Sequence, residues 1–383
     1  MRREMVYGIM MLALLQLFCM ISVQAKEKPV VGWTHTVFSI NDNNPEHLLQ
    51  KTDDTSESYQ IASDAISNAI SSKLENLQQE GKLPFQLQKN NMDMNASFTA
   101  ATPIALVPIV VVDMAFDSDY RINDVRYYKS VVYSGVDLAF CCADEETGSW
   151  RILGMLPLRY YGVIGADASR TEPISREEKL QCFVRVTQDA IGQIKELKQD
   201  RSLWAELDNR SVTPETYQVT AVDISSAKAK ELFGEENDSL KALIAGSFTS
   251  SYQQRTNHVL YPSRLTGGWV NDISRNLYSL QMQSPAGNLQ VTMPKAAHEI
   301  RLDVTGIGKQ ELKLKDESAV QRDVAYKVWL AKSFTEGNEK AEVTKADIKQ
   351  LSKVDTGGIR FDDSDVFRKL LIGAAVELGN QKI

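Results

Sequence analysis

After residue 25 no stretch comes near 18 consecutive apolar residues, so the rest of the chain lacks a membrane-spanning helix. Basic charge is short: 43 Lys and Arg stand against 50 Asp and Glu, a formal net charge of -7. That excludes a broad basic surface, and with it a nucleic acid as the default partner. Cysteine and histidine number four each. His35, His47, His258 and His298 are scattered with no H-x-x-x-H pair, and adjacent Cys141 and Cys142 do not have metal-ligand spacing, so no metal centre is legible. The strained G-x-S-x-G elbow of serine hydrolases is absent, as is the phosphate-cradling G-x-x-x-x-G-K-[ST] loop. Gly306-Ile307-Gly308 lacks the third glycine of a dinucleotide fingerprint and reads as a bend after a strand. Neither a cofactor nor a catalytic residue is expected. What remains is 383 residues with 43% hydrophobic and 24% charged content, an ordinary globular composition long enough for two domains.

The first 25 residues read as an address. Arg2 and Arg3 precede an apolar run, Ile9 to Leu15, which continues through Leu17, Phe18 and Ile21 and ends in Val23-Gln24-Ala25. A charged start, a short apolar middle and an A-x-A-like end make a secretory signal peptide with cleavage expected after Ala25; an uncleaved N-terminal anchor is the alternative. Phe18 before Cys19 argues against lipidation.

Export implies an oxidising compartment, where paired cysteines persist. In Val136-Asp137-Leu138-Ala139-Phe140-Cys141-Cys142, strand alternation puts Val136, Leu138, Phe140 and Cys142 on one face. Cys182 lies on a candidate helix that could cover that face, so Cys142–Cys182 is the better-placed disulfide. Three small buried thiols are the competing account.

Alternation and helical periodicity give an element order that occurs twice. Val30–Ile40 reads as a strand. A helix follows from Ser56 or Ser58 with Ile61, Ile66, Ile70, Leu74 and Leu77 on one stripe. After a short strand at Phe85–Leu87 come Ile104–Phe116, apolar enough to be buried on both faces, then Val125–Ala143, and a strand from Trp150 that follows the Asp144–Gly148 turn. A helix capped by Ser175 closes this half. The polar stretch 201–214 is the expected linker between a first domain at 26–200 and a second at 215–383. The second half repeats the order: a strand at Tyr217–Val222, a helix capped by Asp238 or Ser239, a short strand at His258–Pro262, strands from Glu299 and Ala325, and a closing helix through Leu378. Trp269–Leu280 reads as an extra helix inserted between. Pro108 to Val136 and His298 to Tyr326 each span 28 residues, and within them Val111-Val112-Asp113-Met114 lines up with Arg301-Leu302-Asp303-Val304. The expected fold is α+β: two tandem β-α-β-β-β-β-α domains, each a mixed sheet covered by helices.

Val136-Asp137-Leu138 leading into Asp144-Glu145-Glu146-Thr147-Gly148, the closing helices, and Tyr261-Pro262-Ser263-Arg264-Leu265 in the second half carry a resemblance. The arrangement resembles the curli-secretion lipoprotein family and the N-terminal domain of the Tol translocation protein. The chain departs from that plan in having no lipobox and no evident membrane-hairpin strands. The resemblance implies an envelope location, the periplasm or outer-membrane periphery, and domains that assemble with other proteins without doing chemistry.

Most acidic clusters fall in turns and at helix starts, where solvation and the helix dipole account for them. Asp113 and Asp303 each interrupt a strand, which makes them the candidate ligand contacts; an outward-facing edge position is the other reading. Asn95, Asn209 and Asn237 begin glycosylation sequons, informative only in a eukaryotic secretory pathway. Two functions compete, with a surface-layer or adhesion component as a weaker third. The first is an exported, non-catalytic assembly or interaction module with envelope or secretion-apparatus proteins, or a second copy of itself, as partner. The second is a secreted enzyme or small-ligand-binding protein with its site in the inter-domain cleft.

Overall fold

The computed structural model describes residues 28–33, 36–38, 47–49, 56–91, 104–122, 125–144, 149–165, 169–197, 215–265, 269–275, 277–284, 287–313, 322–336, 339–340, 344–354 and 362–381. The leader, the 201–214 linker, His35, Asn95 and Asn209 lie outside them. The architecture is α+β, with helices packed on a large mixed sheet.

In the first half β1 (Val30–Trp33) and β2 (Val37–Phe38) precede α1 (Ser56–Gln79), followed by β3 (Gln86–Asn91), β4 (Ile104–Ile122), β5 (Val125–Asp144), β6 (Ser149–Ile164) and α2 (Arg176–Gly192). β1 runs parallel to both β3 and β4, and β4, β5 and β6 are antiparallel neighbours, giving the lateral order β3-β1-β4-β5-β6. The second half has β7 (Thr216–Ile224), α3 (Ala227–Phe233), α4 (Asp238–Thr256), β8 (Val259–Leu260), β9 (Val270–Asp272), β10 (Leu277–Ser284), β11 (Gly287–Pro294), β12 (His298–Lys313), β13 (Arg322–Glu336), β14 (Glu339–Lys340), β15 (Thr344–Val354) and α5 (Asp363–Asn380). Here β7 runs parallel to β8 and β12, and β12, β13 and β15 are antiparallel, in the order β8-β7-β12-β13-β15. The two orders match strand for strand and direction for direction.

A β-bulge recurs at the same place. Val111 is the extra residue between Val110 opposite Val136 and Val112 opposite Gly135; Thr305 is the extra residue between Val304 opposite Leu330 and Gly306 opposite Trp329. The pair just past each bulge is 23 residues apart in sequence. By this register Asp303 occupies the place of Ile109, and Asp113 that of Ile307. The sequence alignment of Asp113 with Asp303 is therefore displaced by four residues.

Ile104–Phe116 is buried on both faces, as its apolar run predicts. One face, with Leu106, Leu138, Phe140 and Leu153, packs under α1 and α2. The other, with Val107, Ile109, Ala139 and Ile152, joins a core that includes Phe248 of α4 and Leu371 of α5. Layers thus alternate: helices α1 and α2, the first sheet, helices α4 and α5, the second sheet. Lying between two sheets, α4 buries residues around much of its circumference, among them Ala242, Ala245, Ser247 and Thr249. A Cβ at Gly379 of α5 would stand 2.7 Å from the Phe248 carbonyl oxygen, so a side chain there would collide with α4.

Two expectations are overturned. The region read as an extra helix, Trp269–Leu280, holds β9 and the start of β10. Tyr278 and Leu280 point into the core while Ser279 and Gln281 point outward, and period two fits a strand. β10 and β11 form a hairpin that meets β6 at Trp150–Arg151 and β2 at Phe38, so the path β6-β11-β10-β2-β4-β5 closes on itself. The Cys142–Cys182 disulfide is also corrected: no disulfide joins the described cysteines. Cys182 packs over Gly162, which pairs with Val132 on β5, whereas Cys142 pairs with Arg151. Ten residues along a strand is roughly 33 Å, several times a disulfide's reach. Alternation identified the face but not the position along it.

Candidate functional site

The halves meet in a cleft of about 500 Å³. Its floor is the β6 segment Leu156–Tyr160, and its walls are the C-terminal ends of α2 and α4 with the residues just beyond them. α2 is fixed by a capping box at its start, where the Ser175 hydroxyl accepts from the Glu178 amide and Glu178 answers at the Ser175 amide. At its other end Lys73 of α1 donates to the Gly192 carbonyl over 2.8 Å. α4 begins at Asn237, whose side chain accepts from the Leu240 amide. It ends at Asn257, whose positive φ of 58° turns the chain out of the helix and into β8.

The cleft presents carboxamides: Gln193 from beyond α2, Gln253 and Gln254 from α4, and Asn257. Gln193 donates to the Tyr160 hydroxyl over 2.5 Å. Leu156, Leu158 and Ile194 supply an apolar base, and Lys195 and Glu196 bring one charge of each sign.

Arg159 reaches the cleft from below, and its charge is answered in the interior. Arg159 Nη2 lies 2.6 Å from Oδ1 of Asp137, a fully buried carboxylate on the neighbouring strand. The contact is an ion pair whose angles fall short of a directed hydrogen bond. Arg159 also donates to the Leu158 carbonyl at 2.9 Å. Burial pushes the Asp137 carboxyl above its ordinary range, and Arg159 pulls back only part of that rise. Gly246 of α4 makes room: a Cβ there would stand 2.6 Å from Arg159 Nε. Ser250 of the same helix donates to the Pro157 carbonyl over 3.2 Å. The ion pair therefore lies where the first sheet meets a helix of the second half.

Asp113 and Asp303 do not converge on the cleft. Asp113 is buried, not outward-facing; one carboxylate oxygen pairs with His47 Nδ1 and the other accepts from the Leu49 amide over 2.8 Å. Asp303 is partly exposed and accepts from the Ser225 amide at 3.1 Å and hydroxyl at 2.9 Å. Each acid ties down chain near the end of its half's first strands. His258 and His298 stack on opposite faces of Tyr217, with ring centroids 4.5 and 4.4 Å away, and His258 Nδ1 is 3.0 Å from the Tyr252 hydroxyl. Sequence reasoning missed Asp137 and Arg159. The signal that singled out Asp113, an acid inside an apolar strand, is equally present in Val136-Asp137-Leu138.

No known family model matches the chain, and no curated protein matches it. Among solved structures the chain is similar to a crystal structure described as a neuraminyllactose-binding hemagglutinin homologue from Helicobacter pylori, at 14% identity, over 43% of this chain and 79% of that one, with a TM-score of 0.23.

Proposed function

We propose that the protein is an exported, non-catalytic envelope protein that acts as an assembly or interaction module. We read it as a tandem duplication of one β-α-β-β-β-β-α unit, residues 26–200 and 215–383, whose partner docks in the cleft where the units meet. The observation that carries this reading is the chemistry of the cleft. Three carboxamides from both halves, Gln193, Gln254 and Asn257, offer donors and acceptors around an apolar base, which suits the main chain of a neutral partner segment. Asp113, Asp137 and Asp303 are each committed to holding structure. The matching strand orders and the shared bulge position support the duplication, and the resemblance to envelope modules supports the compartment. No described helix is long and apolar enough to cross a membrane.

The test places a photo-crosslinking residue at Gln254 of the full chain and maps crosslinks in envelope extracts by mass spectrometry. One recurrent protein partner, lost on Gln193→Glu with Asn257→Asp, is the expected outcome. Crosslinks that appear equally when the probe sits at exposed Ile61 on α1 would refute the docking site. A small molecule retained in the cleft would instead support the ligand-binding alternative, for which about 500 Å³ is an ordinary volume.

A further inference from the structure

The first two turns of α5 carry a charge arrangement that uses none of the cleft residues. Asp365, Arg368 and Lys369 are spaced i, i+3 and i+4, so one helix face presents a carboxylate and two cations. Lys129 of β5 reaches them from the first half, its Nζ 2.7 Å from Asp365 Oδ2. Lys369 Nζ lies 3.2 Å from the same oxygen. Asp365 and Lys129 are enclosed, their side chains 10% and 17% exposed, while the Lys369 side chain opens to solvent at 38%. The Arg368 guanidinium lies 3.9 Å from the Phe116 ring centroid. Among the described residues no carboxylate forms an ion pair with it and no acceptor takes its N–H groups. Lys129 and Lys369 thus share one carboxylate while Arg368 has none, leaving two positive charges uncompensated.

The neighbouring acids are already committed. Asp362 caps the helix by accepting from the Ser364 amide over 2.9 Å. Asp363 is held by Lys309 at 2.9 Å and by the Tyr326 hydroxyl at 2.7 Å. Burial, and then the Lys129 amine beside it, hold the Lys369 ammonium below the ordinary lysine range, whereas for Lys129 the effect of burial is outweighed by Asp365, which holds it above that range.

We propose that Lys129, Arg368 and Lys369 form a binding site for a phosphate group. A guanidinium offers parallel donors to a tetrahedral oxyanion, and ammonium groups add compact charge beside it. A phosphate monoester carries about two negative charges at neutral pH, which matches the local excess, whereas a carboxylate would cancel only half of it. Phe116 stacks edge-to-face with Tyr133, which in turn contacts the half-exposed Tyr161, so an aromatic strip leads away from the cations.

The experiment uses the full chain and two probes. Isothermal titration and thermal melting compare sodium phosphate with sodium chloride at matched ionic strength, which separates binding from screening. Phosphate is expected to bind and to raise the melting temperature where chloride does not. Arg368→Gln or Lys369→Gln should weaken binding about tenfold, the scale of one charged hydrogen bond. Asp365→Asn should strengthen it by removing the competing carboxylate. Vesicles of phosphatidylcholine, with and without phosphatidic acid, identify the source: capture only by the phosphatidic acid vesicles assigns a lipid headgroup, and binding of phosphate alone assigns a soluble one. Absence of binding in both arms overturns the proposal, as does unchanged affinity in both Arg368→Gln and Lys369→Gln.

Discussion

Burying a carboxylate costs several kcal/mol unless a partner answers it, and Asp137 depends on Arg159 for that answer. Asp137→Ala leaves a guanidinium enclosed beneath α4 without its counter-ion. The expected loss is about 3–5 kcal/mol in denaturant unfolding. Replacing both partners with apolar residues, Asp137→Leu with Arg159→Met, should recover most of that loss. If the double variant is as unstable as the single one, the pair does more than neutralise charge. At this scale the sequence was partly legible. An acid amid β-branched residues marks a position that needs a partner, but nothing local says whether the partner is an imidazole and an amide from a distant segment, as for Asp113, or a guanidinium on the next strand. The cysteines teach the same lesson: period two gives the face of Cys142, while its distance from Cys182 depends on how far α2 slides along the sheet.

α5 was readable almost entirely, because Phe367, Leu370, Leu371, Ala374, Ala375 and Leu378 keep helical spacing and all become buried. Its anchorage was not. Lys332 of β13 is fully buried and donates to the Leu378 carbonyl at 3.0 Å and the Gln381 carbonyl at 3.4 Å, pinning the helix end. Burial holds its ammonium below the ordinary lysine value. A base whose pKa falls on folding binds fewer protons in the native state, so stability rises with pH between the folded value and about 10.4. Urea unfolding should therefore show stability climbing with alkaline pH up to about 10.4, and Lys332→Met should flatten that slope. An unchanged slope would remove Lys332 as its source. β9 and β10 were misread because Trp269, Leu277 and Leu280 suit a helical stripe as well as a strand in a short window; the hairpin partner β11, which decides it, lies further along the chain.

Across the whole molecule, the order of the main elements was legible outside β9–β11 and β15, and their mutual arrangement was not. Local patterns yield β-α-β-β-β-β-α in the first half and all of it but β15 in the second, but the apolar face of β4–β6 cannot declare that its cover is α4 and α5. That shared core predicts one cooperative unfolding transition for the intact chain, seen alike by near- and far-ultraviolet circular dichroism. Residues 26–200 expressed alone should aggregate, having lost the cover of that face. Two separated transitions, or a soluble and folded fragment, would contradict a shared interior. The position of β8 and β11 on β6 carries one more consequence. As the chain leaves the ribosome, roughly 140 residues must follow Trp150 before β11 can reach it, a wait on the order of ten seconds at ordinary elongation rates. Through that interval the nascent first half offers a bare strand edge to its surroundings, and a chaperone that binds early would be shielding a surface meant for the protein's own later segments.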